Sequence, residues 1–193
     1  MIAALYVQRG GCYYGLPDVD PWDEERDARQ YAGPWPVVAH PPCNRWAMPL
    51  AKVNETRYGH KVGDDGGCFG AALAAVRRYC GVLEHPANTA AWDAFELPRP
   101  DGHGWQATFC DGWVCQVAQS TYGHKARKRT WLYSVGCIFP VMDWSEAEPT
   151  ALTSWLQKTT SELPRLSKRE ASATPIPFRD LLLDIARNAR PLT

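Results

Sequence analysis

Short unbroken hydrophobic runs alternate along this chain with longer stretches rich in Gly, Pro and charge, and the runs predict the elements. Residues 2–7 (IAALYV) are continuously apolar and close on Gly10-Gly11, the pattern of a buried strand entering a tight turn. The following residues, crowded with Pro, Gly, Asp and Trp, hold no helical period. Residues 36–40 (PVVAH) predict a second buried strand, halted by Pro41-Pro42, so that Cys43 sits just past a strand end. Residues 44–67, with YGHKVGDDGG among them, predict a long mobile loop. From Cys68 the apolar residues Phe69, Leu73, Val76 and Cys80 recur at the spacing of one helical face, and Gly81 is placed to end that helix. Residues 82–86 (VLEHP) read as a short strand. Residues 113–118 and 130–136 predict a hairpin across the basic stretch YGHKARKR. Helices are expected over 151–160 and 178–189. Strands alternating with helices predict an α/β sheet with helices on its faces, a helical C-terminal segment, and loops gathered at the strand ends.

Composition narrows this picture. A chain of 193 residues that is 45% hydrophobic suffices for one substantial core, so a single domain over 1–193 is expected. Lys+Arg and Asp+Glu balance at 21 each, so any nucleic-acid site must come from local clustering. The seven cysteines show no CxxC and no zinc-like spacing, which predicts reduced thiols and no metal site. No apolar stretch is long enough for a membrane span and the N-terminus lacks a basic lead. The expectation is therefore a cytoplasmic protein with no membrane partner.

Three short motifs carry candidate chemistry. In VVAHPPCN two prolines stiffen the turn that presents Cys43, although a lone cysteine in such a setting is more often an inert core residue. In VLEHP, Glu84 follows a buried strand, a place where an isolated Glu is commonly a cap or a surface group. In YGHKARKRTWLY, Arg127 and Arg129 alternate into a strand and so point the same way. Most Lys/Arg runs are solvated loops, but this one runs directly into apolar strand residues, which brings the arginines to the edge of the core.

In order and spacing these motifs resemble the DNA cytosine-5 methyltransferase family, which has a Pro-Pro-Cys nucleophile, a Glu-Asn-Val acid and a Gln-x-Arg-x-Arg motif after Tyr-Gly. Glu84 follows Cys43 by 41 residues, and Arg127 follows Glu84 by 43. Leu166-Ser167-Lys168-Arg169-Glu170-Ala171 is similar to the family's Leu-Thr-x-Arg-Glu segment. The resemblance implies a reduced Rossmann-like methyltransferase sheet and a catalytic set of Cys43, Glu84, Arg127 and Arg129. Cys43 would add to carbon 6 of cytosine, activating carbon 5. Glu84 would hold and protonate the ring nitrogen, and an arginine would hold the ring carbonyl and favour the thiolate. S-adenosylmethionine is the implied cofactor, with Tyr6, Gly10, Gly11, Asp20, Asp27 and Pro41 as its contacts. Pro42, Asn44, Trp46, His85, His124 and Lys125 are the implied substrate contacts, with Trp46 in a lid over a flipped base. DNA, single-stranded or with the base flipped, is the implied partner.

The chain departs from that family in ways that keep other readings open. Too few residues separate Gly11 from Asp18 for the usual first cofactor helix. Fewer than thirty residues lie where the family's target-recognition domain belongs, so specificity is low or supplied by a protein partner. His85 replaces the Asn of Glu-Asn-Val, and Lys125 the Gln of the arginine motif. A pyrimidine-modifying enzyme using another one-carbon donor or a nucleotide substrate, and a non-catalytic DNA- or protein-binding decoy, are the alternatives.

Overall fold

A computed structural model describes residues 1–48, 50–109, 112–153 and 162–190. Among them a seven-stranded mixed sheet runs β2-β1-β3-β4-β7-β6-β5, where β1 is Ile2–Leu5, β2 Val19–Trp22, β3 Val37–Ala39, β4 Gly81–Pro86, β5 Gln106–Ala107, β6 Gly112–Ala118 and β7 Arg129–Val135. The first four strands in that order are parallel, and β7 is antiparallel to both β4 and β6. The helices are α1 (Leu50–Tyr58), α2 (Cys68–Tyr79), α3 (Ala90–Ala94), α4 (Lys168–Ser172) and α5 (Ile176–Arg187). This α/β arrangement is consistent with a Rossmann-like fold.

Side chains alternate across the strands and so divide into two cores. On one face Ala3, Leu5, Val37, Ala39, Leu83, Trp131 and Tyr133 pack against Phe69, Leu73 and Val76 of α2 and Trp92 of α3. On the other Ile2, Ala4, Val38, Val82 and Leu132 pack against Phe178, Leu182 and Ile185 of α5. The helices form by local rules. Asp65 accepts from the backbone N–H groups of Gly67 and Phe69 at the start of α2 (2.9 and 2.8 Å). Pro177 sits in the first turn of α5, where its missing N–H costs nothing. Ser167 and Glu170 close a reciprocal capping box on α4. The Leu166–Ala171 motif therefore has a local structural reason of its own.

Four expectations need correction or limits. The stretch 44–67 is not all loop, because α1 occupies its middle. Gly81 does not end α2 but opens β4: at φ 123°, a Cβ there would lie 2.0 Å from the Val37 carbonyl oxygen. Only glycine lets β3 and β4 approach so closely. The strand β2 was not expected from its sequence VDPW, and Pro21 is tolerated because β2 is the sheet's edge. Of the helix expected over 151–160, residues 154–160 lie outside the described residues, and Leu152 makes an isolated bridge to Arg165. No described helix is long and apolar enough to cross a membrane.

Candidate active site

The order β2-β1-β3 places a change of winding direction between β1 and β3, and ligands of open α/β sheets bind beyond the carboxyl ends of the strands at such a point. Three side chains meet there. Parallel pairing sets Val38 against Val82 and Ala39 against Leu83, so one residue further on His40 comes opposite Glu84 on the α5 face. His40 Nδ1 lies 2.9 Å from Glu84 Oε1, and the Tyr13 hydroxyl lies 2.7 Å from His40 Nε2. An ionised carboxylate can only accept, so Nδ1 donates to Glu84, while Nε2 shares the remaining hydrogen bond with the Tyr13 hydroxyl. Burial pushes the Tyr13 phenol well up, so it keeps its proton. Burial alone would raise the Glu84 carboxyl, but the His40 hydrogen bond, with the charges of His40 and Lys128, brings it down to about 2.

Cys43 borders this chain of hydrogen bonds. Burial pushes its thiol up, the Glu84 charge adds to that, and Lys128 opposes both. The turn it begins is fixed by its carbonyl, which accepts from the N–H groups of Trp46 and Ala47 (3.0 and 2.8 Å). At rest Cys43 is thus a protonated thiol, kept so by burial and by the Glu84 charge, with the Lys128 charge working the other way.

That ammonium is not one of the expected arginines. Arg127 and Arg129 do share a side, but it is the other one: Arg129 forms a two-pronged pair with Glu146 (2.6 and 2.8 Å), and Arg127 reaches Glu146 and Glu148 (3.6 and 3.3 Å). Lys128, between them and with φ 36°, donates from its Nζ to the Ala173 carbonyl (3.5 Å), and its charge lowers both the Cys43 thiol and the Glu84 carboxyl.

The chain matches no family model, no curated protein and no solved structure.

Several candidate substrate contacts are structural. His85 is fully buried between Phe69 and Trp92, and burial brings its pKa down to about 4. Neither of its ring nitrogens makes a hydrogen bond of ordinary geometry, and the Pro42 carbonyl is the acceptor near it. His85 thus packs behind the Pro41-Pro42 turn rather than facing a ligand. Trp46 is no lid: its indole is buried against Phe69 and Phe95, and its N–H donates to Asp65 (2.8 Å). His124 is buried and bonded to the Ala126 backbone (2.9 Å), which closes the turn before β7. Lys125 pairs with Glu170 at 3.5 Å, on the exterior. Asn44 and Pro42 are exposed beside Cys43, and Pro41 is buried beneath it.

The expected cofactor contacts do not form a receptive set. Gly10 and Gly11 lie in a tight turn closed by the Gly11 N–H on the Gln8 carbonyl (2.9 Å). Asp20 accepts from Trp22 and Arg26 (2.9 and 2.5 Å). Asp27 caps the turn Ala28–Gln30 and is held by Arg29, whose hydrogen bonds bring its pKa down to about 2. Asp20 and Asp27 are thus both engaged by arginine. The Tyr6 hydroxyl is buried without a hydrogen-bond partner, on the opposite face from Tyr13. The six described cysteines are unpaired, and among the described residues no three His, Cys, Asp or Glu side chains are grouped to hold a metal ion.

Tyr13, His40 and Lys128 escaped the sequence reading. His40 carried a signal, since it follows Val38 by two in the strand before Cys43, as Glu84 follows Val82. Tyr13 carried none, because its loop has no period.

Proposed function

We propose that this protein modifies a pyrimidine ring, cytosine at carbon 5 in DNA, through a covalent bond from Cys43 to carbon 6. What supports this reading is the Glu84 carboxylate held by His40 and Tyr13 at the carboxyl ends of the parallel strands, with Cys43 just past the end of β3 and within range of the Glu84 charge. A carboxylate that is ionised at rest accepts a proton before it donates one. Glu84 takes the thiol proton as the sulfur–carbon 6 bond forms, and passes it to the ring nitrogen beside the exocyclic amine. The ring's 5,6 double bond shifts to the 4,5 position, the carbon 4–nitrogen 3 double bond opens onto nitrogen 3, and the proton lost by sulfur is the one that nitrogen gains. Carbon 5 is then nucleophilic toward a one-carbon donor. Lys128, in place of an arginine, offsets the negative charge on the sulfur and is the cation available to the ring carbonyl.

S-adenosylmethionine, the donor that the family resemblance implies, would supply an electrophilic methyl group. The residues expected to hold it do not fit, because Asp20 and Asp27 are paired with Arg26 and Arg29. That favours keeping a second donor, a folate carrying a one-carbon unit, in the same experiment.

The test is adduct formation with DNA carrying 5-fluorocytosine, whose fluorine cannot leave as a proton does. Denaturing gels should show a protein–DNA band with one donor, stronger on single-stranded than on duplex DNA because an exposed base needs no flipping. Cys43→Ala should abolish the band, and Glu84→Gln should slow its appearance without removing it. Folded protein that binds DNA yet gives no band with either donor would refute the chemistry and leave a DNA-binding decoy.

A further inference from the structure

The segment 143–148 (DWSEAE) lies across the two arginines as an extended acidic strap without regular secondary structure. It is pinned at its backbone. The Thr121 hydroxyl donates to the Ser145 carbonyl (2.6 Å) and accepts from the Ala147 N–H (3.3 Å), and the Tyr122 hydroxyl bonds both the carbonyl and the N–H of Asp143 (3.0 Å each). The result is that Glu146 meets Arg129 through two parallel N–H···O bonds while Glu146 and Glu148 share Arg127. That two-pronged geometry is also the one by which arginine holds a phosphate.

We propose that Arg127 and Arg129 form a phosphate-binding surface and that the Glu146–Glu148 strap occupies it until the phosphates of the pyrimidine substrate displace it. Three features support this. The arginines lie at the N-terminal end of β7, between β4 and β6, and so share the sheet edge that carries Cys43 and Glu84. The pairs are accessible, with Arg129 50% and Glu148 90% exposed, so they are weakly held and screened by salt. A cavity of about 220 Å³ lined by His103, Gln116, Trp144 and Glu146 itself lies against the strap and leaves the carboxylate space to withdraw. Neutral composition hides this surface, because the strap's own acids cancel the basic run.

The inference rests on the pyrimidine reading for its ligand, but it is read by binding rather than by chemistry. Fluorescence anisotropy with labelled ten-residue oligodeoxycytidine, competed by deoxycytidine triphosphate or by deoxycytidine, separates the phosphate sources. The double variant Glu146→Gln, Glu148→Gln should bind the phosphate-bearing ligand about fivefold more tightly at low salt, as expected for removal of an exposed charge competitor. Adding Arg129→Ala should cancel the gain. Where the oligonucleotide is the ligand, the slope of log affinity against log salt should steepen by roughly 0.7 for each phosphate newly contacted. A gain with the oligonucleotide alone assigns the surface to a nucleic-acid backbone, and one with the triphosphate alone to a nucleotide. Unchanged affinity for both, or an equal gain for phosphate-free deoxycytidine, would overturn the proposal. A strap variant that binds more tightly while no covalent adduct forms would sink the catalytic reading and leave this one standing.

Discussion

On the parallel half of the sheet edge, His40 and Glu84 are 10% and 15% exposed and joined in a chain with Tyr13, whereas on the antiparallel half Arg129 and Glu146 are 50% and 30% exposed. Both are close polar pairs, yet their energetics differ. Removing one partner from the buried chain strands a desolvated group, whereas water replaces a partner lost from the exposed pair. The contrast also separates roles: the buried chain can set protonation states, and the exposed pairs can be exchanged for a ligand.

The largest expected effect comes from the most buried group on the parallel half. His85 titrates near 6.5 in an unfolded chain and at about 4 when folded. Above about 6.5 the ring is neutral in both states. As pH falls below that, the unfolded chain takes up a proton that the folded one refuses, so stability falls until about pH 4, by roughly 3 kcal/mol at about 1.4 kcal/mol per unit. Urea unfolding from pH 8 to pH 4 should show this slope, and His85→Phe should flatten it whatever its stability at pH 8. Glu84 acts lower on the scale, because its folded pKa is depressed below 4.5 to about 2, and its contribution is lost as pH falls through that window.

Next comes the carboxylate itself. Glu84→Gln at pH 7 should cost about 2 kcal/mol, the range for a hydrogen bond to a charged group, measured as a lowered urea midpoint at unchanged m. Tyr13→Phe should cost about 1 kcal/mol as a neutral hydrogen-bond deletion. If Tyr13 served packing alone, losing only its hydroxyl would leave the pH profile of adduct formation unmoved; a shift is expected. The smallest effect belongs to the antiparallel half, where Arg129→Ala should change stability by less than about 1 kcal/mol and should lose even that in high salt. A loss of several kcal/mol there would erase the contrast between the halves.

The strands β1, β3 and β4 were legible because each is a short apolar run ended by Gly or Pro, whereas β2 (VDPW) and β5 (QA) carry no such run. The helix α1 was not legible: its residues LAKVNETRY show no apolar stripe, so its turns follow backbone preference rather than a buried face. At the site, the order Cys43, Glu84 and the basic run could be read along the chain. Which face each side chain meets could not, because a period of two says that Arg127 and Arg129 agree without saying which side Cys43 occupies. The register between β3 and β4 decides that Glu84 finds His40, and register is a relation between strands rather than a property of either.

The Arg179 side chain of α5 donates to the Cys12 carbonyl across 167 residues of sequence. It ties down the loop that carries Tyr13, and α5 covers the strand face from which His40 and Glu84 project. During synthesis that face lacks its covering helix until α5 follows β4 out of the ribosome, a delay of roughly 5–20 s for about 100 residues at about 5–20 residues per second. Over that interval Ile2, Ala4, Val38 and Val82 stay open to water or to a chaperone. A ribosome stalled before Phe178 would thus hold a sheet whose Tyr13 loop lacks its Arg179 tie and whose His40 and Glu84 face lacks α5.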